Sequence, residues 1–237
     1  LIFKRIQDRT KVVKILIRRA NKLLCLTQFI FSVGFAIVLA FFSFNIVFGK
    51  GVIAAGITNN IEIETHNESI DSNADEILLL QEDSWEELTV KQRVDVLQTV
   101  ADIERDYLGV NHNFYVLVDN TGKYVLGNYD NDTYNIKINT DTIMYGSAKE
   151  CLKIICHEVY HGYSYCMISA LDNSQEELKN LKIYEDAQIY KKEFGNYKSG
   201  IDEYDEYYYQ QCEVDARSYA DNSVNYYMSY IYNYMSE

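Results

Sequence analysis

The sequence contains no proline and only four histidines, and it is strongly acidic beyond residue 22. The missing proline has no physical explanation in the sequence. Because histidine is scarce, two histidines at a metal-binding spacing are not expected by chance. The acidic excess argues against a nucleic-acid partner, since neutralising phosphates requires clustered lysine and arginine. The 237 residues show no internal repeat, and they suffice for one ordinary domain with a smaller segment.

Charge is distributed unevenly along the chain, whose net charge is -13. Residues 1–22 contain eight basic residues and one acidic residue, while the remainder contains 14 basic and 34 acidic residues, a net charge of -20. No charged residue occurs from Leu23 to Phe48, where almost every side chain is apolar. About 20 apolar residues cross a bilayer as a helix. The pattern therefore predicts a transmembrane helix over residues 23–48 that contacts the lipid bilayer.

The basic flank predicts the orientation of that helix. Basic residues stay on the cytoplasmic side, so 1–22 is predicted to be a basic cytoplasmic segment and the rest of the chain to lie outside a cell membrane crossed once. A cleaved signal peptide is the alternative, but its apolar region spans only about 7–15 residues. Residues 49–73 mix polar residues and glycine without periodicity, which predicts a linker. Residues 74–237 then form the extracytoplasmic domain.

The most informative motif is His157-Glu158-Val159-Tyr160-His161. Residues four apart share one face of a helix, so both imidazoles can hold one Zn²⁺ ion. Glu158 lies beside them, where it can take a proton from a metal-activated water. Two solvated histidines on a surface helix are the alternative interpretation, because short motifs also occur by accident.

A catalytic zinc site needs a third protein ligand and an open position. The segment around residue 213 offers two carboxylates, Glu213 and Asp215, about 200° apart on a helix, so both cannot face one ion. Glu213 shares a helical stripe with Ala216 and Ala220, whose small side chains allow a close helix approach. We therefore predict His157, His161 and Glu213 as metal ligands, with Asp215 as the alternative to Glu213.

The remaining pattern predicts an α+β domain in which a small antiparallel sheet accompanies the active-site helices. Strands are expected over 114–118, 123–126 and 134–139, the first two as a hairpin. Helices are expected over 74–80, 175–194 and 201–235, with further starts at capping boxes beginning at 84, 89 and 147. Residues 151, 156 and 166 are cysteines on one expected helix, too far apart for the first and last to bond, which favours buried thiols.

The motif together with Glu213-x-x-Ala216 resembles the gluzincin-type zinc metallopeptidases, and its second part is similar to that of membrane-anchored and ImmA/IrrE-like members. The resemblance covers about residues 147–222. It implies a zincin-like fold, a strand before the metal helix that binds extended peptide, here Tyr134–Asn139, and peptide-bond hydrolysis with Glu158 as general base. Many gluzincins have an acidic residue four after the ligand Glu to orient a histidine. This chain has Arg217 there, and Asp221 is the alternative carboxylate.

The proposed hydrolysis of a peptide or protein substrate also needs a hydrogen-bond donor for the transition state. Arg217 and Tyr219 are the candidate stabilisers, with Tyr209 and His112 as further donors; for the tyrosines, core packing is the competing role. Three other functions stay open: a catalytically inactive membrane-tethered zinc-binding domain, a membrane protein with an accidental motif, and a metallohydrolase acting on a non-peptide bond.

Overall fold

The computed structural model describes residues 59–122 and 124–236. The predicted cytoplasmic segment, the predicted transmembrane helix and the first part of the predicted linker lie outside these residues. Within the described part of the chain, no helix combines the length and the apolar composition that crossing a bilayer requires.

The described chain is an α+β domain dominated by helices, with one three-stranded sheet. The helices are α1 Asn59–Ser72, α2 Ala74–Ile77, α3 Glu82–Glu87, α4 Val90–Leu108, α5 Thr140–Tyr145, α6 Ala148–Asn173, α7 Glu185–Phe194, α8 Tyr204–Tyr208 and α9 Gln211–Tyr234, and the strands are β1 Tyr115–Asp119, β2 Gly127–Asp130 and β3 Asn135–Asn139. Short 3-10 turns occupy Leu78–Leu80 and Lys182–Tyr184.

The sheet is mixed, so the prediction of an antiparallel sheet with a β1–β2 hairpin was wrong. β3 is central and pairs in parallel with β1 and antiparallel with β2. The chain between β1 and β2 is held across the end of β3 by Asn139, whose side-chain amide donates to Thr121 and to the carbonyl of Gly122, both at 3.0 Å. The turn after β1 therefore leads past β3 to its far side, which local turn residues cannot reveal.

The two edge strands of the sheet have different neighbours. Gln98 of α4 covers the outer edge of β1, because its side chain donates to the carbonyl of Phe114 at 3.0 Å and accepts the N–H of Val116 at 2.9 Å. β2 has only β3 as a neighbour among the described strands. The sheet thus has one edge occupied by a side chain and one edge on the side of helix α6, against which β2 packs.

Two of the expected helix starts are confirmed. Thr89 and Ser147 each form a complete capping box with a residue three positions later. α4 is followed by Gly109 with φ 68°, a conformation that glycine adopts without strain. The expected box at residue 84 does not form, because α3 already begins at Glu82 without a side-chain cap.

The main core lies where α4, α6 and α9 meet one another and the inner face of the sheet. Ile136 and Ile138 of β3 are fully buried. Ala216 and Ala220 are also fully buried, consistent with the close approach expected of α9. The four cysteines beyond residue 150 are free thiols, and three of them are buried.

The helical segments differ from the expectation in three places. The second half of the expected linker is helix α1, whose Ile70 is fully buried and whose His66 stacks between the rings of Tyr107 and Tyr226. Because α1 packs partly through stacked aromatic rings, its sequence lacks the apolar periodicity that would have predicted a helix. The helix expected over 175–194 begins only at Glu185, and the one expected over 201–235 is divided into α8 and α9.

A buried carboxylate connects α1, α4 and α9. Glu104 is fully buried and accepts hydrogen bonds from His66 at 2.9 Å, Ser223 at 3.1 Å, Tyr227 at 2.8 Å and Tyr219. Burial alone would raise the pKa of Glu104, but these donors, led by His66, hold it below its usual range. The ionised carboxylate therefore fixes the helix that carries Glu213.

We predict that Glu104→Gln lowers the free energy of unfolding at pH 7 by about 2 kcal/mol, because charge-assisted hydrogen bonds are lost. Since the folded pKa is depressed, this contribution is present above the ordinary value of 4.5 and is lost as pH falls through the folded pKa. Denaturant titrations of both proteins from pH 7 downward measure the difference. Asp95→Asn, which removes only an exposed ion pair with Lys91, is the control. An equal effect of both substitutions would contradict the prediction.

Candidate metal centre

Helix α6 presents the His-Glu-x-x-His motif on the side that faces α9. His157 and His161 lie one turn apart, and their Nε2 atoms approach to 3.0 Å. Both side chains are largely buried. The motif is therefore helical, and its two imidazoles converge on one point.

Helix α9 brings a carboxylate to the same point. The Glu213 Oε2 atom lies 3.3 Å from His157 Nε2, and its Oε1 atom lies 3.2 Å from His161 Nε2. Ligand atoms of these three residues all lie within 4.8 Å of one another. Across the described residues, this is the one group of three or more His, Cys, Asp or Glu side chains arranged to hold a metal ion.

The chemistry of this triad fits a metal cation. Glu213 is fully buried, and its Oε2 atom has no hydrogen-bond partner. An unpaired buried carboxylate oxygen is costly unless a cation compensates it. Two Nε2 atoms facing each other at hydrogen-bond distance likewise need a shared proton or a cation between them. Two imidazole nitrogens and one carboxylate oxygen are ligands that divalent zinc accepts.

The ionisation of the triad shows how strongly the groups interact. Burial by itself would raise the pKa of Glu213, but the adjacent imidazoles of His157 and His161 lower it well below its usual range. Burial would lower the pKa of His161, whereas its hydrogen bond with Glu213 and the charge of Glu158 raise it. The carboxylate is therefore ionised and attracts positive charge to this point.

Glu193, the penultimate residue of α7, positions Glu213. Its two carboxylate oxygens accept the backbone N–H groups of Gln211 at 2.9 Å and Cys212 at 2.8 Å. These are the first residues of α9, where N–H groups lack partners within the helix. The cap therefore fixes the turn of α9 from which the Glu213 side chain projects.

Glu158 projects from α6 toward the edge strand β2. It is 7% exposed, and burial raises its pKa despite the nearby imidazoles of His157 and His161. A backbone N–H contact from Tyr129 of β2 acts in the opposite direction. The strand can come this close because residue 127 is glycine: a Cβ there would stand 2.4 Å from the side chain of Ile154.

The strand expected to bind peptide is not an edge of the sheet. β3, which includes most of Tyr134–Asn139, is hydrogen-bonded on both sides and has no free backbone groups to offer along its length. That expectation was wrong, because the sheet order makes β3 the central strand and β2 the edge strand. The strand that approaches Glu158 is β2.

The structure separates the two candidate carboxylates. Asp215 accepts hydrogen bonds from Tyr190 at 2.6 Å and Gln211 at 2.8 Å and is not part of the triad. Asp221, considered for orienting a histidine, pairs instead with Lys153 at the surface. Of the two, only Glu213 meets the histidines, as helical phase predicted.

Most of the candidate transition-state donors lie away from the triad or are bound to other groups. Arg217 is near the triad, 3.7 Å from Glu213, but it donates to the carbonyl of Tyr208 and lies over that ring. Tyr219 donates to the core carboxylate Glu104. Tyr209 is 75% exposed.

His112 also lies outside the triad. Its ring stacks on Tyr134 with centroids 3.9 Å apart, and its Nε2 atom is 3.2 Å from the Tyr129 hydroxyl. Burial lowers the pKa of His112, so it acts as a neutral packing partner of the strand residues.

Two tyrosines reach Glu213 that sequence reasoning missed. Tyr197 donates its hydroxyl hydrogen bond to Glu213 Oε1. The Tyr207 ring packs edge to face on the Tyr197 ring, and after burial the negative charge of Glu213 is the next cause that raises the pKa of Tyr207. The sequence contains 22 tyrosines, so their number hid these two. Their proximity to Glu213 in sequence was the only available signal.

Comparison of the chain with protein-family models, curated proteins and solved structures finds no match. The functional assignment therefore depends on the geometry of the triad and on the chemistry of the residues around it.

We predict that Glu193→Ala weakens zinc binding by about 10- to 100-fold, the usual effect of losing a group that orients a ligand. The helix turn carrying Glu213 would lose its cap and become less ordered. Competition with a chromophoric chelator measures the dissociation constant. Glu185→Ala removes an exposed carboxylate from the first turn of the same helix and should leave the affinity unchanged. Parent-like zinc affinity in Glu193→Ala would refute the positioning role.

Proposed function

We propose that this chain is a zinc-dependent metallopeptidase of the gluzincin type, held at a membrane by residues 23–48. The observation that carries the proposal is the convergence of His157, His161 and Glu213 at one point with Glu158 beside it. An accidental motif would have no reason to lie next to a carboxylate from a distant helix. Here the helical phase of α9 places Glu213 beside the two histidines.

Zinc is the metal that best suits this ligand set. His157, His161 and Glu213 would hold it through two nitrogens and one oxygen, which leaves a position open for water. When bound, zinc lowers the pKa of a coordinated water toward neutrality and polarises a carbonyl oxygen. No cysteine joins the triad, so a closed structural site of four protein ligands is not formed by the described residues.

Glu158 is the general base of the proposed reaction. It accepts a proton from the attacking water as the water oxygen bonds to the peptide carbonyl carbon, and it returns that proton to the nitrogen when the C–N bond breaks. Its buried position beside the two histidines suits both halves of this transfer.

The position of β2 as an edge strand among the described strands supports an extended peptide as the substrate. The backbone N–H of Asn139 donates to the carbonyl of Leu126 at 2.9 Å. In this register, Leu126 and every second residue after it turn their backbone groups toward β3. Gly127 and Tyr129 therefore turn their backbone groups away from β3, and the N–H of Tyr129 faces Glu158. A peptide adding to this edge would place its backbone beside the triad.

The predicted anchor and the acidic domain complete the proposal. Residues 1–22 would stay in the cytoplasm and the peptidase domain would work outside the cell membrane. The substrate would then be a peptide or protein segment in an extended conformation, accessible at the membrane surface.

We predict that Glu158→Gln lowers peptide turnover by at least about 100-fold while zinc content stays unchanged, because the base is lost and the ligands remain. The full chain, purified in detergent and loaded with zinc, is incubated with a proteome-derived peptide library, and new termini are identified by mass spectrometry. Cleavage should disappear when 1,10-phenanthroline is added. Glu176→Gln, at an exposed position on the loop after α6, is the control and should cleave as the parent does.

Three outcomes are decisive. Chelator-sensitive cleavage that Glu158→Gln abolishes supports the peptidase. A parent that binds zinc and cleaves no peptide contradicts peptidase activity and favours the zinc-binding interaction domain or a non-peptide hydrolase. Cleavage that Glu158→Gln retains in full contradicts the role of the base.

A further inference from the structure

A small groove lies between α1 and α9, away from the metal site. Its volume is about 270 Å³, below the roughly 300 Å³ at which pockets for drug-sized ligands begin. Along α9 the groove begins at Tyr226, about 20 Å from Glu213 at 1.5 Å per residue. Among the described residues, three tyrosines, two asparagines, one serine and one aspartate line it, and no lysine or arginine does. The groove therefore has room for a small polar or charged group.

Three tyrosines form the α9 wall of the groove. Tyr226, Tyr230 and Tyr234 recur every four residues, so their rings share one face of the helix. The centroids of the Tyr230 and Tyr234 rings are 6.2 Å apart and the rings are inclined at 33°, so neither ring covers the face of the other. The face of an aromatic ring carries the negative part of its quadrupole. This wall therefore attracts a cation.

Hydrogen bonds to α1 hold two of these rings in place. The Tyr226 hydroxyl donates to Asn67 Oδ1, and the Tyr230 hydroxyl donates to Asp71 Oδ1 at 2.8 Å. His66 also fixes Tyr226, because its ring stacks on one face of that tyrosine with centroids 4.8 Å apart. The two rings are thus ordered before any ligand arrives, which lowers the entropic cost of binding.

Negative charge gathers at this groove without a basic residue to balance it. Asp71 lies in the last turn of α1, where the helix dipole disfavours a carboxylate, and that turn contains no basic residue. The hydrogen bonds from Tyr226 to Asn67 and from Tyr230 to Asp71 advance together, so the two helices run in parallel and their C-termini are adjacent. The last turn of α9 also lacks a basic residue. A positively charged ligand would compensate both the carboxylate and the dipoles.

We propose that this groove binds a quaternary ammonium group, the trimethylammonium of a choline compound. Such a cation donates no hydrogen bonds and spreads its charge over methyl groups, which suits ring faces next to a carboxylate. A calcium ion suits the groove less well, because it takes about six to eight oxygen ligands and only one carboxylate is present. The site is separate from the metal centre and does not depend on the proposed peptidase function.

The first test measures choline binding to the full chain in dodecyl maltoside, a detergent without an ammonium group. Equilibrium dialysis with radiolabelled choline gives the dissociation constant, and unlabelled compounds compete for the site. Tetramethylammonium should displace choline, whereas ethanolamine and the uncharged isostere 3,3-dimethylbutan-1-ol should compete at least about 3-fold less well. Absence of saturable choline binding would overturn the proposal. Equal competition by the uncharged isostere or by ethanolamine would also overturn it, since the site would then not recognise a quaternary charge.

Two substitutions at exposed positions test the walls of the groove. Tyr234→Leu removes a 49% exposed ring and should weaken choline binding by about 3- to 30-fold. Asp71→Asn keeps an acceptor for the Tyr230 hydroxyl but removes the charge, and should weaken binding by at least about 5-fold at low salt and by less at high salt. Parent affinity in either variant would overturn the proposal. Tyr232→Leu and Asp75→Asn, at exposed positions outside the groove, are the matched controls and should bind choline as the parent does.

Membrane composition distinguishes a lipid headgroup from a soluble compound as the source of the quaternary ammonium group. The full chain is reconstituted in vesicles of phosphatidylcholine and, separately, of phosphatidylglycerol, and choline binding is measured in both. Exclusion of choline only in phosphatidylcholine vesicles supports a lipid headgroup in the groove, and undiminished binding in both supports a soluble quaternary ammonium compound. Loss of binding in phosphatidylglycerol vesicles, which contain no competing ammonium group, would contradict the site.

Discussion

The buried carboxylate of Glu213 is the constraint on which the rest of the site depends. A carboxylate with no exposure costs several kcal/mol unless positive charge and hydrogen bonds compensate it. Two imidazoles, one tyrosine hydroxyl and a more distant guanidinium surround it, yet one oxygen remains unpaired. Small residues on α9 allow its close approach to α6, while the cap from Glu193 and the Glu104 network fix α9 to α7 and α4.

The sheet lies next to the same site. A side chain of α4 occupies the outer edge of β1, and the parallel and antiparallel pairings of β3 leave β2 as the edge next to α6. Glycine at position 127 then allows the strand to approach Ile154 and Glu158 of α6 closely. The strand order of the mixed sheet therefore matters, since it makes β2 the edge strand that lies beside Glu158.

Local signals in the sequence predicted the local parts of this structure. The motif on α6, the capping boxes at Thr89 and Ser147 and the phase that favours Glu213 over Asp215 all depend on residues within a few turns of one helix. Strand order, the docking of α1 through His66 and the approach of Tyr197 and Tyr207 depend on contacts between distant segments. Those contacts leave no periodic trace, because stacked rings and hydrogen bonds replace an apolar stripe. The same limit explains why Tyr219 was a candidate donor: its helix was expected, but its partner Glu104 lies 115 positions away.

The central claim is that Glu213 completes a zinc site with the two histidines. Zinc per molecule, measured by atomic emission on the folded full chain, tests it most directly when the parent is compared with Glu213→Ala and Asp215→Asn. The account predicts about one zinc in the parent and in Asp215→Asn, and its loss in Glu213→Ala. A folded parent without zinc, or zinc lost with Asp215 and retained without Glu213, would contradict the account.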